Sequence, residues 1–377
     1  MLTIEKIDTN SKAQVNRFVK IPFQFYKDTP QFVPQIRMDV KEMLNRKKHP
    51  FYTHSDAEFY IAVRNGKDVD RMGISENKPY NKYHDKKTMC FFLIECEDNI
   101  ETAQAMFDVA FEWGRARGLE TIVGPKALGP FDGYGILEKG FEHRQMMTMM
   151  NYNPPYLPLM MDQMGFEKEV DFVSCYLDLK TFKFPERIHR IAERVKERNS
   201  LKVMEFKNKK ELLMWAHKVG EIYNKSFINN WEYYPLTEDE LAYHIKNIMS
   251  VVNPKLAKVI VHDGEPVGFL LAFPDISEAL QRSKGLLFPF GIFDILLEMG
   301  RTNWVAVNGM GIIPEYTGRG GNALMYSEME KTVRHEGFKF MHVDMTQVAE
   351  TAVEMRSDLI NLGGKPYKNH RVYRKKL

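Results

Sequence analysis

Cysteine is scarce. The 377 residues contain three, Cys90, Cys96 and Cys175, an odd number without metal-ligand spacing. That excludes a disulfide framework and a cysteine-built metal centre, and fits small core thiols in a reducing, cytoplasmic setting. Long apolar runs are missing as well. No stretch reaches the ~20 residues that a membrane-spanning helix needs. The start, Met-Leu-Thr-Ile-Glu-Lys, lacks the cationic-then-apolar order of a secretory signal. Neither sign of charge is in excess: 53 Lys and Arg against 50 Asp and Glu leave +3. No broad basic face for nucleic acid is expected, and the short tail of Arg371, Arg374, Lys375 and Lys376 reads as a solvated terminus. A Gly-Lys-Ser/Thr phosphate loop and the Gly-x-Gly-x-x-Gly dinucleotide turn are both absent.

What is present is ordinary globular material. Hydrophobic residues make up 44% and charged residues 27%, and the length favours two domains. The 23 methionines read as packing residues, or as adaptable binding walls.

The element order occurs twice. Asn65-Gly66 and Asp263-Gly264 each separate two β-rich runs and predict tight hairpins, because such turns need positive φ. In the first half a strand at Met89–Glu95 is followed by a helix from about Glu101 to Arg117. Its apolar positions Ala103, Met106, Phe107, Ala110 and Trp113 recur at helical spacing. Gly118 ends that helix, and a strand at Leu119–Val123 follows. In the second half the strand is Trp304–Ile312, the helix Arg319–Glu336, its end Gly337 and the next strand Phe338–Met345. Each half then has a short helix ended by glycine: Pro155–Met164 with Gly165, and Thr351–Leu362 with Gly363. The interval from Gly66 to Gly264 equals that from Gly165 to Gly363, whereas Gly118 to Gly337 is longer. Each half therefore carries its own insertion, near 124–153 in the first and 284–300 in the second. The boundary is expected near Lys180 to Pro185, after a strand at Val170–Leu179, giving domains 1–182 and 183–377.

The sharpest chemical signal is Gly311-Ile312-Ile313-Pro314-Glu315-Tyr316-Thr317-Gly318-Arg319-Gly320-Gly321-Asn322-Ala323, set between a strand and a helix. Glycines allow a tight turn and close backbone approach. The helix start then offers unpaired N–H groups and a positive dipole end, a site suited to a pyrophosphate. The equivalent first-half loop, Glu95 to Thr102, has no glycine and four acidic residues. It would repel a pyrophosphate.

The second-half loop resembles that of the GNAT acyltransferases, whose pattern is Gln/Arg-x-x-Gly-x-Gly/Ala, often after Pro-Glu-Tyr. Pro314-Glu315-Tyr316 and Gly318-Arg319-Gly320 match. Thr317 stands where Gln or Arg is usual, and Asn322, where Gly or Ala is usual, could crowd the phosphates. The resemblance covers 190–377 by motif and 1–180 by element order alone. It implies an α/β (α+β) fold of two tandem GNAT-like domains, each a mixed, mostly antiparallel twisted sheet flanked by helices, the first without a cofactor loop. It implies acetyl-CoA or a longer acyl-CoA as donor, no metal, and direct attack of an amine on the thioester, the carbonyl being polarised by backbone N–H groups. Pyrophosphate contacts fall on Thr317, Gly318, Arg319, Gly320, Gly321, Asn322 and Ala323. The pantetheine arm falls on Met310, Gly311 and Ile312. The tyrosine acid common in the family has Leu359 at its place, and the usual earlier asparagine is Ala352. Tyr316, Tyr367 or Tyr373 are substitutes, with Asp344 as base or as a capping carboxylate.

Two further segments bear on the acceptor. Residues 229–236, Asn-Asn-Trp-Glu-Tyr-Tyr-Pro-Leu, occupy the region that walls the acceptor site in GNAT proteins, so Trp231, Tyr234 and Pro235 line a pocket or cap the core. Gly285 to Met299 is apolar on nearly every side, with Asp294 and Glu298 as a narrow polar stripe. Such a segment must be covered. Core between the halves, an acyl-chain groove, a homodimer interface and a peripheral membrane contact all satisfy that. Phe131 to Gly135 and Asn151 to Tyr156 read as an ordered loop that binds or braces. The paired layout is similar to a bacterial group of double-GNAT proteins, which implies long-chain N-acyl transfer, ceramide synthesis included. A non-catalytic acyl-CoA-binding or regulatory module is the alternative.

Overall fold

The computed structural model describes residues 1–377 apart from Phe131, Thr148, Glu232 and Glu336. Phe131 in the first-half loop, Glu232 in the 229–236 segment and Glu336 at the expected helix end therefore lie outside the described residues. The first half contains β1 (Leu2–Lys6), α1 (Lys12–Lys20), α2 (Pro22–Phe25), α3 (Arg37–Met43), β2 (Asp56–Arg64), β3 (Lys67–Glu76), α4 (Lys78–His84), β4 (Thr88–Cys96), α5 (Ile100–Arg115), β5 (Thr121–Gly124), β6 (Ile136–Lys139), α6 (Tyr156–Gln163) and β7 (Glu167–Asp178). The second contains α7 (Glu186–Glu197), β8 (Lys202–Met204), α8 (Lys209–Ser226), α9 (Glu238–Val251), β9 (Ala257–His262), β10 (Glu265–Pro274), α10 (Ser277–Ser283), α11 (Gly291–Arg301), β11 (Trp304–Ile312), α12 (Gly321–His335), β12 (His342–Ala349), α13 (Val353–Asn361) and β13 (Lys365–Lys376).

Local chemistry sets these elements. Both hairpins turn where expected: Asn65 and Gly66 have φ of 50° and 76°, Asp263 and Gly264 of 48° and 85°, the signature of a primed turn. Arg64 then pairs with Lys67 and His262 with Glu265. Asn99 caps α5, accepting from the Thr102 amide at 3.0 Å, and Gly118 leaves the helix in the left-handed region. The apolar stripe of α12, Leu324, Met325, Met329 and Val333, is buried. One strand is displaced: β12 starts at His342 instead of Phe338, because its pairing begins opposite Trp304 while Phe338 and Phe340 stack on each other.

The chain forms two compact units. Unit 1 is Met1–Val173, Ser277–Ile295 and Tyr367–Leu377; unit 2 is Ser174–Ile276 and Leu296–Pro366. They differ from a cut at 182/183, because unit 1 takes most of β13 and the helical stretch Ser277–Ile295 from the second half, and unit 2 takes the end of β7 from the first. In unit 1 the strand order is β1-β2-β3-β4-β5-β13, followed by the first part of β7, with β6 on β13. In unit 2 the last part of β7 precedes β12-β11-β10-β9-β8. Pairs β4/β5 and β11/β12 are parallel, and the hairpins antiparallel.

The unit 1 sheet is covered on two faces. Phe91, Phe107, Phe111 and Phe166 form one cluster with α5 and α6, and Phe18, Phe51, Phe59 and Phe92 another with α1 and α3. Edge-to-face contacts such as Phe91–Phe107, 5.2 Å between centroids, add to burial worth ~1.5–3 kcal/mol per phenylalanine. The segment from Gly285 to Met299 is not core. Phe288 and Phe290, just before α11, are 68% and 77% exposed, and α11 turns Ile295 and Glu298 inward but Ile292, Phe293, Leu296 and Leu297 outward.

Candidate active site

In unit 2, β11 and β12 pair from Trp304/His342 to Val307/Met345 and no further. A bulge turns β11 at that point. Asn308 and Gly309 together oppose Leu271, since Ala272 pairs with Val307 and Leu270 with Met310. Gly309 takes φ of 102°, which its missing Cβ permits. Met310, Gly311 and Ile312 then pair with β10, leaving their β12-facing backbone edge open. Unit 1 repeats the device in β4: Leu93 and Ile94 oppose Met72, and Leu93 has φ of 47°. The end of α8 closes on the β11 tip, where a Cβ on Gly311 would stand 2.4 Å from the Ser226 hydroxyl.

The loop that follows is a cradle of amides. Ile313 donates to Val267 and Tyr316 to Ile313. Thr317 donates to Pro314 at 3.1 Å, so its amide is already used, which removes it from the expected run of phosphate contacts. Gly318 and Gly320 have φ of 76° and 85°. Among the described residues, the amides of Gly318, Arg319, Gly320, Gly321, Asn322 and Ala323 donate to no protein acceptor; the first that does is Leu324, to Gly320. Six bare N–H groups at the start of α12 add to its dipole. Arg319 is exposed, its guanidinium 4.6 Å above the Tyr316 ring. Gly320 touches α7, since a Cβ there would meet Val195 at 2.7 Å.

Asn322 does not crowd the cradle. Its side-chain amide donates to Asp358 on α13 at 2.9 Å, which draws the side chain toward that helix. The same carboxylate oxygen lies 3.4 Å from the Tyr326 hydroxyl. Burial, reinforced by Asp358, pushes Tyr326 well above the ordinary phenol value, so it stays protonated. Sequence reasoning missed this pair. The legible signal was the i, i+4 spacing of Asn322 and Tyr326 on one helix face; that Asp358, beside the buried Leu359, meets them is tertiary.

The remaining expected residues are dispersed. Tyr316 sits on the short turn before the cradle, 5.1 Å from the His262 ring. Asp344 is fully buried on β12, in register with Ala306, one step before the strands part, and accepts from the Thr346 hydroxyl at 3.1 Å. Tyr373 belongs to unit 1, in its core, with its hydroxyl on Glu138. Burial and that carboxylate hold it protonated. Tyr234 is buried with its hydroxyl 3.2 Å from Glu240, the carboxylate that completes the α9 capping box. Pro235 is exposed and Trp231 half-buried, leaving Trp231 as the acceptor-wall candidate.

The loop in the same place in unit 1 is furnished differently. Asn99 takes the Thr102 amide, Glu97 accepts from the Thr102 hydroxyl at 2.8 Å and from Arg64 at 2.9 Å, and the Glu97 amide donates to Asp70. Burial raises the Asp70 carboxyl to about 7. Acceptors stand here where the unit 2 loop has bare donors. On the other side of the β4 bulge, unit 1 holds a cavity of ≈ 60 Å³ bordered by Phe23, Phe32, Gln35, Arg37, Leu93 and Tyr152, with the buried Arg71–Glu95 pair in its wall.

No protein-family model matches the chain. It is similar to the bacterial ceramide synthase of Caulobacter vibrioides, 27% identical over 380 residues that span 98% of this chain and 97% of that protein. It is similar to protein YghO of Escherichia coli, 25% identical over 373 residues, 97% and 94% of the two chains. Among solved structures it is similar to a tandem GNAT protein from the clavulanic acid biosynthesis pathway, with a TM-score of 0.59, 13% identity and coverage of 100% and 98%.

Proposed function

From the premise that the chain carries the GNAT acyltransferase fold in tandem, we propose that it is an acyl-CoA-dependent N-acyltransferase. The observation that carries this reading is the run of six unengaged amides from Gly318 to Ala323, in the loop that follows the part of β11 left unpaired by β12. In the proposed complex the diphosphate of CoA accepts from those amides and the pantetheine arm adds to the open edge of Met310 to Ile312. The acceptor amine, neutral after losing a proton, attacks the thioester carbonyl carbon. The C–N bond forms, the C–S bond breaks with its electron pair left on sulfur, the nitrogen sheds its surplus proton and the sulfur takes one up to free CoA. Asp344 is the base we assign to the amine proton. Tyr326, kept protonated beside Asp358, is the acid we assign to the leaving thiolate. The relative named for ceramide synthesis favours a long-chain acyl group and a lipid amine as the pair joined.

Charge reversal at Arg319 tests the cradle with little cost to the fold, because the side chain is exposed. Gly320→Asp is a poorer probe, since it meets Val195 and a positive φ. Arg319→Glu is expected to weaken binding of acetyl-CoA and palmitoyl-CoA by roughly tenfold, the size of one screened charge contact, in calorimetric titration. Free-thiol release over a panel of amines then reads turnover. Binding without release for any amine would make the protein an acyl-CoA-binding module, and failure of both thioesters to bind the wild type would refute the reading.

A further inference from the structure

Leu286, Phe288, Phe290 and Phe293 expose 46%, 68%, 77% and 63% of their surface, and all lie in unit 1. Along α11 the polarity is inverted, with Ile292 exposed and the helix running on to exposed Leu296 and Leu297 while Glu298 is buried. Exposed apolar surface on this scale marks an interaction site. The segment is held firmly in this arrangement. Arg37 donates to the carbonyls of Lys284 and Gly285, each at 2.9 Å. A Cβ on Gly285 would stand 2.2 Å from the Gln35 carbonyl, and its φ is 69°, so only glycine seats the segment there. Arg282 grips Asp294 through two bonds of 2.9 and 2.8 Å at the start of α11.

We propose that this segment inserts its phenylalanines into the surface of a bilayer containing anionic lipid. Charge decides for lipid over a second copy. Asp294 and Glu278 are paired with arginines, whereas Lys284 and Arg37 at the base of the segment have no carboxylate within ion-pair distance among the described residues. Two copies meeting through this patch would bring those cations toward their own kind; anionic headgroups complement them. The apolar side chains would then occupy the headgroup–acyl boundary, as an interfacial helix does. No helix among the described residues is long and apolar enough to cross a membrane. The cavity of unit 1 adjoins the base of the segment: Gln35 and Arg37 border it together with Phe23, over which the Arg37 guanidinium lies at 4.0 Å. A cavity whose wall is part apolar and part polar, beside a lipid surface, suits an amphiphile drawn from that surface.

The inference stands apart from acyl transfer, because its test needs neither donor nor amine. The full-length protein is floated with vesicles of phosphatidylcholine, with and without phosphatidylglycerol. The wild type is expected to float with the mixed vesicles, and Phe288→Ser/Phe290→Ser/Phe293→Ser to bind at least ~10-fold more weakly, as loss of three buried aromatic side chains implies. Its thermal midpoint should be unchanged, since the three side chains have little to lose in water. Lys284→Glu should lower binding to the mixed vesicles. A wild type that stays in the lipid-free fraction overturns the proposal. So does a triple variant that floats equally well, or light scattering that shows a dimer dissolved by the triple variant with no flotation of the wild type.

Discussion

Asp344→Asn is expected to lower the rate of CoA release by about 10²–10⁴-fold, the usual contribution of a positioned general base, while acyl-CoA affinity stays near that of the wild type. The split follows from position. Asp344 is in register with Ala306, before the strands diverge, whereas the amides proposed to bind the donor lie beyond the end of β11. The substitution keeps size and one acceptor, so the Thr346 hydroxyl retains a partner. Titration of acetyl-CoA, thiol release and its pH profile together separate this from a structural role. A base removed should flatten the acidic limb of the profile. Thiol release within about threefold of the wild type, with binding intact, would assign the proton transfer elsewhere, and Tyr316 would be examined next.

A second large effect concerns stability. His370→Gln should make unit 1 less sensitive to acid. His370 is fully buried in unit 1, and its Nε2 donates to the Asn151 carbonyl at 3.0 Å. Burial lowers its pKa to about 4, helped by Lys368 and opposed by the bond to Asn151. The folded protein therefore holds this ring neutral, while the unfolded chain protonates it below its ordinary value of 6.5. Stability from this group is complete above that value and is lost as pH falls toward 4. Linkage puts the loss at about 2 kcal/mol by about pH 5. Asp70 and Asp132, whose carboxyls burial raises to about 7 and about 6, act in the opposite direction. They cancel when the two proteins' denaturant midpoints are compared at each pH. Equal acid sensitivity of wild type and variant would mean that the ring is charged in the fold.

Much of the architecture could be read from residues close together in the chain. Asn65-Gly66, Asp263-Gly264, Gly118, Gly165, Gly337 and Gly363 all take positive φ, because the requirement for a left-handed residue is local. The helical stripes of α5 and α12 are buried for the same kind of reason. The phosphate cradle was legible because it is one uninterrupted strand–loop–helix segment. Its fine detail was not. Whether Thr317 has a free amide depends on a turn with Pro314, and whether Asn322 obstructs the loop depends on Asp358, far along the chain.

By itself the sequence determined two repeats of one element order, their turns, and the single loop able to present bare amides, since these rest on backbone conformation and short-range periodicity. Only the tertiary structure decided that β13 pairs with β5 in unit 1 and that the end of β7 joins the unit 2 strands. It alone put Tyr326 beside Asp358 and left the Gly285–Met299 segment open to solvent instead of burying it. Those outcomes turn on which distant surfaces meet, and an apolar helix carries the same letters whether it faces a core, a partner or a lipid.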